Sequence, residues 1–174
     1  MNRASVRPQA WLFLFLLALY LLSYNAIFHS SDGLSMFAVT DSLVRRGALD
    51  TSQLEWMGLQ QGSYGPDELL YSRKGPGTSL LALPLAWLGW WVPGWGVATT
   101  VLLFNSFVTA ATAVLLASGT GSLGYPRRVS LGVGLVFGAA TLAWPYSKTF
   151  FSDPLAGLGL ALAWWACLRY RLAP

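Results

Sequence analysis

Cysteine, histidine and charge are what this sequence has least of. Its one cysteine, Cys167, excludes a disulfide framework and any multi-cysteine metal site. Its one histidine, His29, excludes a polyhistidine metal centre, and His29 with Asp32 three residues on is only half of one. Charged residues make up 10% of the 174 positions, where a soluble domain carries about a quarter. Eleven basic and seven acidic side chains cannot solvate a globule of this size. Disorder is excluded as well, because it needs low hydrophobicity and high charge, and 55% of this chain is hydrophobic. The net charge of +4 does not point to nucleic acid, since the basic residues are scattered rather than gathered on one face. No phosphate-binding glycine motif, nucleophile elbow or H-E-x-x-H stands in the sequence. An integral membrane protein remains.

A crossing helix needs about 20 mostly apolar residues. Four segments qualify: 10–28, 97–118, 129–145 and 154–168. The first follows Arg3 and Arg7 and reads as an uncleaved anchor. Its apolar run outlasts a signal peptide, and Tyr24 and Asn25 stand where cleavage would want small residues. A fifth stretch, 78–92, is short, is interrupted by Pro84 and is crowded by Trp87, Trp90 and Trp91, which favour the headgroup level. If it only dips into the interface, Arg3, Arg7, Arg127, Arg128, Arg169 and Arg171 share one side, which positive-inside bias makes the cytoplasm. The expectation is an all-α, polytopic helical membrane protein, a single membrane domain with about four transmembrane helices plus interfacial helices in a first outer loop. Residues 1–9 and 119–128 are then cytoplasmic, 29–95 form the outer loop and 146–153 an outer turn.

Six of the seven acids lie between Asp32 and Glu68, so the outer loop reads as a polar cap. Leu34, Phe37, Thr40, Leu43 and Val44 fall near one face of a surface helix over 34–46, with Asp32 as N-cap and Gly47 as stop. Asp50 with Gln53 is placed to cap a second short helix through Leu59, and 61–66 and 74–77 carry turn signals. Asp32 is open to two compatible readings, cap or outward-facing general base or metal ligand. Asp153, the only acid after Glu68, precedes Pro154 and is either a second cap or a functional group, with Lys148 as a possible ion partner. Arg73 and Lys74 either snorkel toward lipid phosphates or clamp the phosphate of a lipid-linked substrate. Cys167 lies in an apolar helix and reads as packing against neighbours or lipid.

Three short elements, in this order, resemble the N-terminal part of C-type glycosyltransferases. They are 31–34 (Ser-Asp-Gly-Leu) leading into a surface helix, 70–81 with Tyr71, Arg73, Lys74 and Pro76, and 144–155 with Lys148, Asp153 and Pro154. The likeness is greatest to the families of protein O-mannosyltransferases and the lipid A aminoarabinose transferase, and spans about Trp11 to Arg171. Asp32 is followed by Gly33 where that family often has a second acid, and 74–77 carries one proline fewer. Family members are far longer, so the resemblance implies that the chain corresponds to the N-terminal part of such a fold, and a partner supplying further helices is one expectation. The resemblance implies a polyprenyl-phosphate sugar donor in the outer leaflet of a bacterial plasma membrane, with the N-terminus cytoplasmic. It implies Asp32 as base, Asp153 as assisting acid, Lys74 and Arg73 on the donor phosphate, and Lys148 and Tyr71 in support. No cofactor is certain. A divalent cation, Mg²⁺ or Mn²⁺, shared by Asp32 and Asp153 is compatible with oxygen ligands. A non-catalytic membrane subunit or remnant that binds lipid or a partner is the alternative reading.

Overall fold

The structure is a computed structural model that describes residues 6–172, and side chains from residue 8. Arg3 and the side chain of Arg7, read above as a cytoplasmic flank, lie outside the described residues. The chain is mostly helical: α1 (Val6–Leu22), α2 (Ser31–Arg46), a 3-10 segment (Ser52–Gln60), strands β1 (Gly62–Tyr64) and β2 (Leu70–Ser72), α3 (Gly77–Leu81), α4 (Leu83–Trp91), α5 (Val97–Leu102), α6 (Phe104–Ser122), α7 (Arg127–Ala140), α8 (Ala143–Tyr146) and α9 (Asp153–Arg171). It divides into two compact units. One holds the described residues up to Asn25, Asn105–Lys148 and those from Asp153 onward; the other holds Ala26–Phe104 and Thr149–Ser152.

The first unit is built on small residues. Leu12, Leu16 and Tyr20 of α1 pack with Ala110, Ala113 and Ala117 of α6 in one buried cluster. Ser130, Gly134 and Gly138 recur every four residues along the buried stripe of α7. A Cβ at Gly138 would lie 2.6 Å from Leu16 Cδ1, and one at Gly134 2.7 Å from both the Ala113 carbonyl and Leu12 Cδ2. The stripe therefore lets backbones approach closely, the device that helices use in lipid. The Tyr20 hydroxyl donates to the Gly138 carbonyl at 2.9 Å, and Ser106 Oγ to that of Ser147 at 2.9 Å.

Helix α7 ends earlier than the apolar run 129–145 predicts. Thr141 is extended at φ −126°, ψ −177°. Pro145 is four residues on, and its ring would collide with the carbonyl at 141 in a continuous helix. Thr141 Oγ1 caps the break, donating to the Phe137 carbonyl at 2.6 Å and accepting the Ala143 amide at 3.1 Å. Helix α1 likewise stops at Leu22, so 23–28 lie outside it. Among the described residues one helix, Val97–Ser122 with its 26 residues, is long and apolar enough to cross a membrane; Pro8–Leu22 is apolar but shorter.

The second unit is organised by α2. Ser30, not Asp32, is its N-cap: Ser30 is extended and its Oγ accepts the Gly33 amide at 3.1 Å. The capping hydroxyl bonds the third helical amide, which places the cap two residues before the acid and leaves the Asp32 carboxylate free for other partners. Gly47 at φ 65° ends the helix, with its amide on the Leu43 carbonyl and that of Ala48 on Ser42, a left-handed closure that favours glycine. The expected second helix is a 3-10 segment kinked at Gly58, and neither Asp50 nor Gln53 caps it as a pair. Gln53 Nε2 instead donates back to the Ala38 carbonyl at 2.8 Å, while Asp50 takes the Ser52 amide and the Arg46 guanidinium.

The turn region 61–66 contains a hairpin that the sequence reading does not include. β1 and β2 pair antiparallel with Ser63 opposite Tyr71, an addition to the all-α expectation. Hydroxyls fasten this hairpin and α3 to α2. Ser35 Oγ donates to the Gln61 carbonyl (3.1 Å) and sits 2.8 Å from Ser72 Oγ, while Ser79 Oγ donates to the Met36 carbonyl (2.8 Å). Helices α4 and α5 pack as a tight pair at Gly89, where a Cβ would meet Thr100 Oγ1, the Gly96 carbonyl at 2.8 Å and Val97 Cα at 3.0 Å.

Candidate functional site

The second unit brings together two of the residues singled out above. Lys74 Nζ lies 2.7 Å from Asp32 Oδ2, joining positions 42 apart in sequence. Each partner is positioned by its own element. Asp32 stands in the first turn of α2, where the helix dipole favours a negative charge. Lys74 stands two residues past the last residue of β2, and its amide donates to Ser72 Oγ at 3.1 Å, so the Ser35–Ser72 contact also sets the lysine backbone. Side-chain exposures of 39% for Lys74 and 43% for Asp32 leave the pair half in solvent and open to a ligand.

Arg73 and Lys74 diverge. The Arg73 side chain turns back along the hairpin, its Nε donating to Ser63 Oγ at 3.1 Å. Both residues lie in the bend that follows β2, and their separate partners, Ser63 for Arg73 and Asp32 for Lys74, part the two cations. Tyr71 is also occupied elsewhere: its hydroxyl donates to Asp67 Oδ2 at 2.7 Å. That bond holds the Asp67 carboxyl below its ordinary value and raises the Tyr71 phenol, and both serve the hairpin turn. Burial would raise the Asp50 carboxyl, but hydrogen bonds from Arg46 and Ser52 outweigh it and hold Asp50 below the usual range. Asp50 is a structural anchor of α2, paired with Arg46 at 2.8 Å.

Asp153 opens α9 in the other unit. The four residues before it, Thr149–Ser152, belong to the unit that holds Asp32. There the Phe150 carbonyl lies against the first turn of α2, 3.2 Å from where a Gly33 Cβ would stand. A side chain at 33 would crowd that carbonyl, which gives a packing reason for glycine where the resembling family often has an acid. Lys148 forms no ion pair with Asp153: among the described residues the pairs are Arg45–Asp41, Arg46–Asp50 and Lys74–Asp32. Nor does any group of three or more His, Cys, Asp or Glu side chains assemble among the described residues. His29 stays outside any such cluster, and Cys167 is exposed on α9.

Sequence reasoning passed over the hydroxyls that set this site, namely Ser30, Ser35, Ser63 and Ser72. The available signal was local: Ser72 two residues before Lys74 is the spacing of a side-chain turn that bonds the amide two positions on. No protein-family model, curated protein or solved structure matches the chain.

Proposed function

We propose that this chain is a glycosyltransferase-like, polytopic membrane protein that handles a polyprenyl-phosphate sugar at the outer face of a bacterial plasma membrane. The observation that carries the reading is the Asp32–Lys74 pair. It unites the acid after the first helix with the lysine before the apolar stretch, the two first-loop elements on which the resemblance rests. In the proposed reaction Lys74 leaves Asp32 for the donor phosphate and frees the carboxylate. The acceptor oxygen attacks the anomeric carbon from the face opposite the phosphate. The carbon–oxygen bond to phosphate breaks, polyprenyl phosphate departs with the bonding electrons, and Asp32 takes the acceptor proton. General-base help of this kind is worth about 10²–10⁴-fold. Arg73, tied to Ser63, supports the hairpin rather than the phosphate in this scheme.

Four crossings require 29–95 and 146–153 to share the outer side, whereas five crossings separate them. Residues 149–152 and 26–104 lie in one compact unit, which supports the four-crossing reading. Asp153 keeps the assisting role that the resemblance implies through its place next to that segment. Asp32 pairs with the Lys74 ammonium at 2.7 Å, and no group of three or more His, Cys, Asp or Glu side chains assembles among the described residues, so the divalent cation that the resemblance allows on Asp32 and Asp153 is left out of the scheme. No step is routed through a metal.

The test is transfer of labelled sugar from a polyprenyl-phosphate donor in proteoliposomes. Asp32→Asn should abolish transfer with insertion unchanged; turnover at the native rate in that variant would sink the assignment. Topology is read separately in a Cys167→Ser background with cysteines at Glu55, Tyr125 and Ser152. Outside labelling at 55 and 152 but not at 125 is expected, and labelling at 125 would refute four crossings.

A further inference from the structure

The first unit contains a cavity of about 440 Å³ lined by residues of α6, α7, α8 and α9. That volume is within the range of pockets that hold drug-sized ligands. Its walls are mostly apolar, with Phe137, Leu142, Pro154 and Gly157 prominent, and two polar groups in the lining lack protein partners. One is Asp153, which makes no ion pair among the described residues. The other is Thr109, 2% exposed, whose Oγ1 makes no hydrogen bond. A helical threonine ordinarily bonds the carbonyl four residues back, as its neighbour Thr112 does to Val108 at 2.9 Å. Thr109 does not, and a buried hydroxyl left unpaired is a rare and unfavourable arrangement.

An ionised carboxylate only accepts hydrogen bonds, so it selects a ligand that donates. It is also the sole acid of its unit, while Lys148 and the arginines at 127, 128, 169 and 171 are not part of the lining. Charge complementarity therefore favours a cation and opposes a phosphate or carboxylate headgroup. We propose that this cavity binds a cationic amphiphile, its apolar tail between Phe137, Leu142 and Pro154 and its ammonium group on Asp153, with Thr109 as a second polar contact. This site shares Asp153 with the assisting role given above, but ligand binding in it does not depend on sugar transfer at Asp32.

The test uses the full chain in phosphatidylcholine nanodiscs and three photoreactive twelve-carbon probes with identical diazirine tails: an amine, an alcohol and a carboxylate. The amine should label the peptides containing 137–143 and 154–157 at least about threefold more than the alcohol, the scale of a charge pair on an exposed carboxylate such as Asp153. The carboxylate should label least. Asp153→Asn should bring amine and alcohol labelling level. Gly157→Leu should reduce labelling by both, because no atom stands within 4 Å of a Cβ at that position and the larger side chain would fill the cavity. Gly157→Ala, read the same way, serves if the leucine variant does not insert. Equal labelling by all three probes in the native protein, or amine labelling unaffected by Asp153→Asn, overturns the proposal. Labelling that persists undiminished in both Gly157 variants overturns it too. Sugar transfer by the native chain is measured in parallel, so that a failed cavity and a failed glycosyltransferase reading remain distinct outcomes.

Discussion

Replacing Lys74 by methionine separates a structural ion pair from a ligand clamp. The two charges sit 2.7 Å apart. At that distance Coulomb attraction is about 1.5 kcal/mol in bulk water and about 6 kcal/mol at an effective dielectric constant of 20. Both partners are about 40% exposed, so solvent screening and side-chain entropy reduce the net contribution to stability to about 0.2–1 kcal/mol. For a chain of 174 residues that corresponds to a fall in Tm of roughly 0.4–4 °C. A hydrogen bond from Lys74 to a donor phosphate is a different case, because a charged group then loses its only ligand partner. Such bonds contribute about 1.5–3 kcal/mol, so polyprenyl phosphate should bind the variant roughly 10- to 150-fold more weakly. The assays are thermal unfolding in detergent and binding of polyprenyl phosphate to nanodisc-embedded protein. Lys74→Met with a small Tm change and a large binding loss is expected. A Tm drop beyond about 8 °C with lipid affinity unchanged would refute the reasoning and make the pair a structural clasp.

Gly138→Ala should destabilise the first unit by about 1–3 kcal/mol, since its methyl group would press on Leu16 and the Tyr20 hydroxyl; chemical denaturation in micelles reads the loss. Ser30→Ala should cost about 0.5–2 kcal/mol through loss of the α2 cap, visible as faster amide exchange at Gly33, whereas Asp32→Ala leaves that amide protected. The Asp50 carboxyl is held below its unfolded value, so its contribution is fully present above about pH 4 and is lost as pH falls through the lower folded value. Unfolding midpoints measured from pH 6 down to pH 2 should therefore show an acid-side loss that Arg46→Met abolishes.

Where a hydrophobic or capping signal was local, the sequence was legible. The helix over 34–46, its stop at Gly47 and the helix opening at Asp153 correspond to observed elements, although of the five residues read as one face of α2 only Thr40 is buried. The N-cap of α2 was displaced by two residues because Ser30 and Asp32 are both good caps, and only the chain's extended entry at Ser30 decides between them. The β1–β2 hairpin was missed because each strand has three residues, too few for an alternation to register. Its stability rests on long-range hydroxyl bonds to α2, which no window of sequence displays. The split of Arg73 from Lys74 has the same origin, since it is set by bonds to Ser63 and Asp32, 10 and 42 positions away. Helix α7 looked longer than it is because a hydrophobicity count does not register the clash between Pro145 and the carbonyl at 141.

The hydroxyl contacts around β2 bear on the speed of the site. Ser35 and Ser72 fix the strand to α2, and Ser72 holds the Lys74 amide, whether or not the ammonium touches Asp32. Transfer of the lysine from carboxylate to an incoming phosphate then asks only for rotation about its four-carbon stem. That is a picosecond-to-nanosecond event rather than a microsecond loop opening. Under the proposed reading, arrival of the lipid by diffusion in the plane of the bilayer then sets the pace of capture.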